Sequence, residues 1–167
     1  MRPYVMHTPT SCGPAALSAV LDRDYEKIVA KWPGGWRGTL SDTPYSHFEV
    51  MAKFDTPWQI VGCENIIRGE CAPGKTVILI HNHPILKENW VILASITADR
   101  VLLYTGEPNL LGVSVVRPMT FDNFRRAYSS GPRWRGAGVQ CAYEVGKGRI
   151  GVTRWQRLWA WMTRKWC

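Results

Sequence analysis

The stretch TSCGPAALSAVL, residues 10–21, decides the fold of this chain. Ser11 is a plausible N-cap, Pro14 is tolerated in a first helical turn, and the residues that follow are almost all apolar. A helix that is apolar on every side is a buried helix. We therefore predict a core helix whose first turn carries Cys12.

The position of Cys12 gives its thiol two possible roles. The helix dipole and the unbonded N–H groups of a first turn stabilise a thiolate and can lower a cysteine pKa by one unit or more from about 8.5. Gly13 leaves room for a substrate carbonyl, and the backbone N–H at the nucleophile is a ready oxyanion donor. The alternative is a small buried residue that begins a core helix, because cysteine outside disulfides is among the most buried residue types.

The residues after this helix predict an α+β fold. Helical spacing predicts a second helix over 24–32 and a third from Thr43-Pro44 through Met51. From Pro57 onward, short β-rich runs separated by turn residues predict an antiparallel meander. A short helix is predicted at Thr120–Tyr128, capped by Thr120 or Asp122. Helices followed by strands indicate a layer in which the cysteine-bearing helix lies across the sheet. The predicted strands are Trp58–Cys63, Thr76–Ile80, Trp90–Ile96, Val101–Tyr104, Val113–Val116 and Val139–Val145.

Length and composition limit the class of protein. With 167 residues and 46% apolar content, the chain is long enough for one domain with a proper core. No apolar run follows a basic start, and none reaches the roughly 18 residues of a membrane span. The five widely spaced cysteines have no C-x-x-C pair or metal-ligand grouping. We expect reduced thiols, no metal, no cofactor, and a cytoplasmic or virion location.

The positive charge is concentrated at the end of the chain. Residues 133–167 hold eight Lys or Arg against one Glu, and five of the nine tryptophans, whereas residues 1–132 are nearly neutral. We therefore divide the chain into a globular domain, residues 1–145, and a basic helical extension, residues 146–167.

The extension has the pattern of an amphipathic helix over 153–166. One face would carry Trp155, Leu158, Trp159, Met162 and Trp166, and the other the basic residues with Trp161. The apolar face could dock on the body of the protein. The alternatives are an anionic membrane surface, nucleic acid, or a groove of a protein partner, which we favour because exposed tryptophans are costly on a monomer. The candidate binding residues are Trp155, Arg157, Trp161, Arg164 and Lys165.

The order of these features resembles papain-like peptidases that process bacteriocin leader peptides, the double-glycine peptidases, and their bacterial and phage relatives. After the residue 10–17 motif come a second helix, the loop with Gly38-Thr39, and a third helix. A buried strand, a strand beginning at Asn89-Trp90, a hairpin and Glu107-Pro108 then follow in the family's order. The resemblance covers roughly residues 5–130. It implies a papain-like fold, Cys12 as nucleophile, position 89 as the general base and Glu107 as the orienting acid.

Two positions depart from the family pattern. Asn89 stands where the family has histidine, and an amide does not take up a proton at neutral pH. Met6 stands where the family has an oxyanion-hole glutamine. His81 or His83, in the loop expected before the Asn89 strand, could fold back over Cys12 as a replacement base, or could simply make turn hydrogen bonds. We expect His47, on the third helix, to be a surface or half-buried residue.

These departures favour a degenerate peptidase fold over a working enzyme. We expect a catalytically impaired protein that serves as a protein-binding or structural component, with a phage particle suggested by the resemblance. The first alternative is an active cysteine peptidase or amidohydrolase that uses Cys12 with His81 or His83. The second alternative is a protein associated with nucleic acid or a membrane surface through its basic helix.

Overall fold

A buried helix at the beginning of the chain carries Cys12, in a computed structural model that describes residues 4–8, 11–36, 44–83, 87–108, 114–130, 138–148 and 150–151. This helix, α1 (Cys12–Leu21), has seven of its ten residues buried, as the sequence predicts. Ser11 precedes it, but its side chain makes no capping bond to the helix. Ser11 therefore holds the predicted N-cap position, but its hydroxyl bonds to the preceding loop and not to the helix.

The described residues form four further helices around the sheet: α2 (Tyr25–Ala30), α3 (Pro44–Ala52), α4 (Cys63–Ile67) and α5 (Phe121–Ser130). The sequence predicts all except α4, whose first residue Cys63 was assigned to a strand. Asn65 explains the difference, since its side-chain oxygen accepts a hydrogen bond from the Gly62 N–H at 3.2 Å and fixes a helical turn there. At α5 the predicted cap is confirmed, because Thr120 Oγ1 accepts from the Asn123 N–H at 3.3 Å.

In the part of the chain that the structure describes, six antiparallel strands form one sheet in the order β1-β6-β2-β3-β4-β5. The expected meander is right for four consecutive strands, whereas β6 returns to lie between β1 and β2. Strand β2 also runs further than predicted, so the backbone of His81 and of His83 belongs to a strand and not to a loop. Pairing of His81 with Gly138 and of His83 with Lys87 accounts for this. The strands are β1 (Trp58–Ile60), β2 (Thr76–His83), β3 (Lys87–Ile96), β4 (Arg100–Pro108), β5 (Ser114–Thr120) and β6 (Gly138–Val145).

The two faces of the sheet carry separate parts of the core. On one face, α1 and α3 pack with alternate strand residues, among them Val77, Leu79, Trp90, Ile92 and Tyr143. On the other face, α5 packs through Phe124 against Ile78, Ile80, Val91, Leu93 and Leu103. The alternation follows from the period of two along a strand. The predicted α+β fold, with the cysteine-bearing helix across the sheet, is confirmed.

A buried carboxylate joins the end of β6 to β1 and to the chain before β2. Glu144 is 1% exposed, and its oxygens accept hydrogen bonds from Gln59 Nε2, from the Ala72 N–H and from Lys147 Nζ, each at 3.1 Å. Burial raises the pKa of this carboxyl, but the hydrogen bonds from Ala72, Lys147 and Gln59 outweigh burial and leave the pKa below its ordinary value of 4.5.

Stability should therefore depend on Glu144 in a pH-dependent manner. A carboxyl whose pKa is lowered by folding stabilises the protein above its unfolded pKa and loses that contribution as the pH falls through its folded pKa. We expect Glu144→Gln to lower the free energy of unfolding by about 1–3 kcal/mol at pH 7, with a smaller difference at acidic pH. Urea unfolding of both proteins at pH 7 and below pH 4 measures this, and an unchanged difference would contradict the proposed charge dependence.

Candidate functional site

The N-terminal end of α1 presents Cys12 at the surface of the core. Its side chain is half-buried, and Gly13 beside it is buried in the first turn. The preceding loop is held by buried Ser11, whose hydroxyl accepts from the His7 and Thr8 N–H groups, both at 2.9 Å, and donates to the Thr8 carbonyl at 3.0 Å. These bonds fix the path by which the chain enters the helix.

Tyr4 ties the first turn of α1 to the beginning of β3. Its buried hydroxyl donates a hydrogen bond to the carbonyl oxygen of Trp90 and lies 3.4 Å from the carbonyl oxygen of Cys12. Because one hydroxyl touches both carbonyls, the backbone of Cys12 lies beside the residue that follows Asn89. The fold thus brings together the backbone positions that the resemblance assigns to the nucleophile and the base.

The same N-terminal segment crosses the far end of β4. The Met6 N–H donates to the Gly106 carbonyl at 2.9 Å. Gly106 has φ +74°, and a Cβ there would lie 2.7 Å from Tyr4 Cζ and 3.0 Å from Met6 Cγ. Only glycine fits both the left-handed backbone and this close approach. Met6, at the position of the family's oxyanion-hole glutamine, therefore packs beside Gly106.

The region around the base position is filled by aromatic side chains. Asn89 pairs with Ile80 across the β2–β3 hairpin. The side chains of Asn89, His81 and His83 lie outside the described part of the protein, so their predicted roles stay predictions. The next residue, Trp90, packs on the face of the sheet that α1 covers and is 1% exposed. An indole therefore occupies the α1 face of β3 close to Cys12.

His47 stacks on this indole. Its ring lies 3.9 Å from that of Trp90 with an interplanar angle of 24°, and Nδ1 is 2.6 Å from the Tyr143 hydroxyl. The residue is fully buried, with Trp32 edge-on at 5.5 Å. The expectation of a surface or half-buried histidine was wrong, because the aromatic residues that surround His47 come from three distant segments and only the tertiary fold assembles them.

Glu107, the expected orienting acid, lies at the end of β4 with its carboxylate engaged by β5. Arg117 Nη2 is 3.4 Å from Glu107 Oε2, and both side chains are about two-fifths exposed. An exposed pair of this kind contributes at most about 1 kcal/mol. Since β4 lies between β3 and β5, this contact draws the carboxylate away from the strand that carries Asn89.

His7 also lies close to the first turn of α1. Its ring stacks on Tyr25 at 4.0 Å with an interplanar angle of 16°, which directs it onto helix α2. Both histidines whose side chains are described, His7 and His47, are therefore held by aromatic rings. The contact with Tyr25 holds the His7 imidazole against α2, and the contact with Trp90 holds the imidazole of His47, on α3, against the sheet.

The other described cysteines differ from Cys12 in setting. Burial, helped by the charge of Glu64, raises the pKa of Cys63 to about 11. Burial raises the pKa of Cys141 to about 12 and also raises that of Cys71. Thiols with such pKa values are almost wholly protonated at neutral pH and react slowly with electrophiles.

The tail residues assigned to binding lie outside the described residues: Trp155, Arg157, Trp161, Arg164 and Lys165. Across the described ranges, no three His, Cys, Asp or Glu side chains come together as a metal site. In the same ranges, every helix is too short or too polar to cross a membrane.

The sequence did not predict the roles of three residues of the site: Tyr4, Trp90 as a packing residue, and Gly106. Tyr4 precedes the cysteine by eight residues, and no spacing rule relates an aromatic there to a strand eighty-six residues later. The sequence Gly-Glu-Pro at 106–108 is typical of a turn, but in the structure these residues belong to β4. Each of their contacts joins segments that are far apart in the chain, so no local pattern signals it.

No protein-family model and no curated protein matches the sequence. The structure is similar to a double-glycine-motif protease from an AMS/PCAT transporter, solved with its leader peptide, at 12% identity and TM-score 0.58, covering 86% of this chain and 89% of that one. It is also similar to the peptidase domain of Streptococcus ComA, a bifunctional quorum-sensing ABC transporter, at 10% identity and TM-score 0.62, covering 87% and 98%. This chain therefore has the papain-like α+β fold of the double-glycine peptidase domains.

Proposed function

We propose that this protein is a catalytically impaired papain-like domain that binds a protein or peptide segment without cleaving it. The observation that carries this proposal is the identity of the residues of β3 that lie near Cys12. The neighbouring side chain on the α1 face is the Trp90 indole, and the residue before it is Asn89. Neither group accepts a proton at neutral pH, as a general base must.

The surrounding contacts support the same proposal. His47 is hydrogen-bonded to Tyr143 and stacked on Trp90, and His7 is stacked on Tyr25, so both rings are engaged away from a catalytic role. Glu107 is paired with Arg117 on the far side of β4. An acid that orients an imidazole serves no purpose where the imidazole is missing.

A peptide is the ligand class that the fold favours. One structural neighbour is a protease in complex with a leader peptide. A papain-like domain that lost its base would retain the surface on which such a segment lies, since binding and proton transfer depend on different residues. A structural component of a virion is one setting in which binding without cleavage would suffice.

The pH profile of Cys12 alkylation tests the impairment. With iodoacetamide from pH 5 to 9, we expect the midpoint of the rate to lie at about 7.5–8.5, no more than about one unit below that of an ordinary cysteine thiol. The His81→Ala and His83→Ala variants should give the same profile. Site-resolved mass spectrometry separates Cys12 from Cys63, Cys71 and Cys141, whose raised pKa values make them slow.

A different result would support the active-enzyme alternative. A midpoint below about 7 that rises when one histidine is removed would mean that this histidine acts as the base, and the proposal would be wrong. Cys12→Ala and Cys167→Ser are the controls for residual labelling. When the natural protein is incubated with a fluorescent peptide that contains a Gly-Gly motif, the anisotropy of the peptide should rise and the peptide should remain uncut.

A further inference from the structure

The first three helices of the domain end close together, on the side opposite Cys12. Helix α1 has ten residues and is therefore about 15 Å long, so its last turn lies far from the thiol in its first turn. The segments that follow α1, α2 and α3 meet at Phe54, a half-buried ring that packs against the core. A surface at this end of α1 is therefore separate from the surface around Cys12.

Two cations from different segments lie over the Phe54 ring. Arg23, which follows α1, has its Cζ atom 5.5 Å from the ring centroid, and Lys31, which follows α2, has its Nζ atom at 5.2 Å. Both residues are exposed. The Ser18 hydroxyl donates to the Arg23 carbonyl at 2.6 Å and fixes the turn in which Arg23 lies. The fold thus holds two groups of the same charge on one ring, to which each is attracted.

Two further cations lie at the same helix ends. Lys53 Nζ donates to the Lys31 carbonyl at the end of α2, and Lys75 Nζ donates to the Val20 carbonyl near the end of α1, both at 2.7 Å. Helix C-termini attract cations, which accounts for these two positions. Lys53 is exposed and Lys75 is half-buried. We call this set the basic corner: Arg23, Lys31, Lys53, Lys75 and Phe54.

The basic corner keeps an excess of positive charge. The ion pairs between described residues are made by other cations, such as Lys27 with Asp24 at 3.0 Å. The carbonyl oxygens and the ring that contact the basic corner attract cations but carry no full negative charge. Two further acids lie beside its members along the chain, Asp22 and Asp55, so its four cations outnumber them by two.

An acidic protein segment is the partner that fits this charge. The guanidinium of Arg23 presents paired N–H donors that match a carboxylate, and lysine ammonium groups add point charges beside it. A single-stranded nucleic acid fits less well, because cations already lie over the Phe54 ring, where a base would stack. Asp22 and Asp55 would also repel a continuous row of phosphates, whereas separate carboxylates can pair with the cations alone.

We propose that the basic corner binds an acidic segment of a protein partner, at the end of α1 opposite Cys12. A carboxylate placed there relieves the repulsion between Arg23 and Lys31, which their contacts with Phe54 hold near each other. This binding uses neither Cys12 nor Asn89. It therefore stands or falls independently of whether the thiol is active and of whether a peptide binds beside it.

Titration of the full-length protein with a fluorescein-labelled hexaglutamate peptide at low salt tests this surface. We expect the double variant Arg23→Gln/Lys31→Gln to weaken binding about fivefold, the effect of losing two exposed ion pairs. The matched control is Lys27→Gln/Arg100→Gln, which removes the same net charge from exposed cations that already have acidic partners. The control should change the affinity by less than about twofold, and about 0.5 M NaCl should abolish binding by the natural protein.

Carbodiimide cross-linking locates the bound peptide on the natural protein. Carboxylates of the hexaglutamate peptide should be joined to Lys31 and Lys53, whereas Lys27, whose charge is paired with Asp24, should react less. Mass spectrometry of the digested complex identifies the lysines. This measurement needs no substitution, so it keeps the proposal testable even if the double variant folds poorly.

Three outcomes would overturn the proposal. Equal weakening by the two double variants would mean that the peptide responds only to net charge. Cross-links confined to lysines outside the basic corner would mean that the peptide binds elsewhere. A labelled oligothymidylate that binds more tightly than hexaglutamate, and loses affinity in Arg23→Gln/Lys31→Gln, would assign the basic corner to nucleic acid. In each case the Gly-Gly peptide assay still judges binding near Cys12 by itself.

Discussion

The Asn89→His variant is expected to lower the midpoint of the Cys12 alkylation profile by about one pH unit or more. Tyr4 holds the backbones of Cys12 and Trp90 together, so the backbone of position 89 lies near the first turn of α1. A protonated imidazole within hydrogen-bond reach favours the thiolate, as in cysteine peptidases. The rate at pH 6 should rise severalfold, even though a more acidic thiolate is a weaker nucleophile.

Adding Met6→Gln separates thiol activation from turnover. The added amide can donate to an oxyanion, a contribution of about 3–4 kcal/mol to a transition state when it is well placed. We expect the double variant to cleave the Gly-Gly peptide slowly, and Asn89→His alone to cleave it more slowly still. The control is Asn89→Gln, which is larger than asparagine but provides no base. An unchanged alkylation profile in a folded Asn89→His protein would mean that position 89 is not directed at Cys12.

The Gly106→Ala variant is expected to be the most destabilising small substitution near the site. A Cβ would meet Tyr4 Cζ at 2.7 Å and Tyr4 Oη at 2.9 Å, in a buried place and on a backbone with φ +74°. Overpacking a rigid aromatic ring and straining the backbone together cost about 2–4 kcal/mol. Displacement of Tyr4 should also loosen the first turn of α1, so the Cys12 alkylation rate should change as well.

Gly69→Ala is a matched control for this prediction. Gly69 has the same φ of +74°, but no atom lies within 4 Å of its would-be Cβ. This variant measures the cost of the left-handed backbone alone, about 1 kcal/mol, and should leave Cys12 unaffected. Urea unfolding of the two variants gives the difference that belongs to Tyr4. Equal losses for Gly69→Ala and Gly106→Ala would show that the contact with Tyr4 contributes nothing.

Local patterns were sufficient for most of the fold. The apolar run after Cys12 predicted a buried helix, and the change to β-rich runs after Pro57 predicted the sheet. Both signals are local, because burial of a helix or strand face requires a matching period in the sequence. The order of motifs then identified a papain-like fold, which the similarity to two peptidase domains supports.

Turn residues misled the prediction where strand pairing was stronger. His81 and His83 stand beside Asn82 and Pro84, a typical turn composition, yet β2 continues through His83 because β3 and β6 pair with it. Cys63 was assigned to a strand, although the Asn65 side chain turns the chain into α4. For β2 the deciding partners are other strands, whereas for α4 the deciding group is a side chain two residues further along the chain.

Residue types in their order along the chain were enough to predict the Cys12 helix, the α+β class, and the replacement of the expected histidine and glutamine by Asn89 and Met6. The surroundings of the thiol depend on the tertiary structure. Tyr4 joins α1 to β3, and His47 stacks on Trp90, because distant segments meet there. Such contacts depend on packing in three dimensions, which sequence spacing does not record.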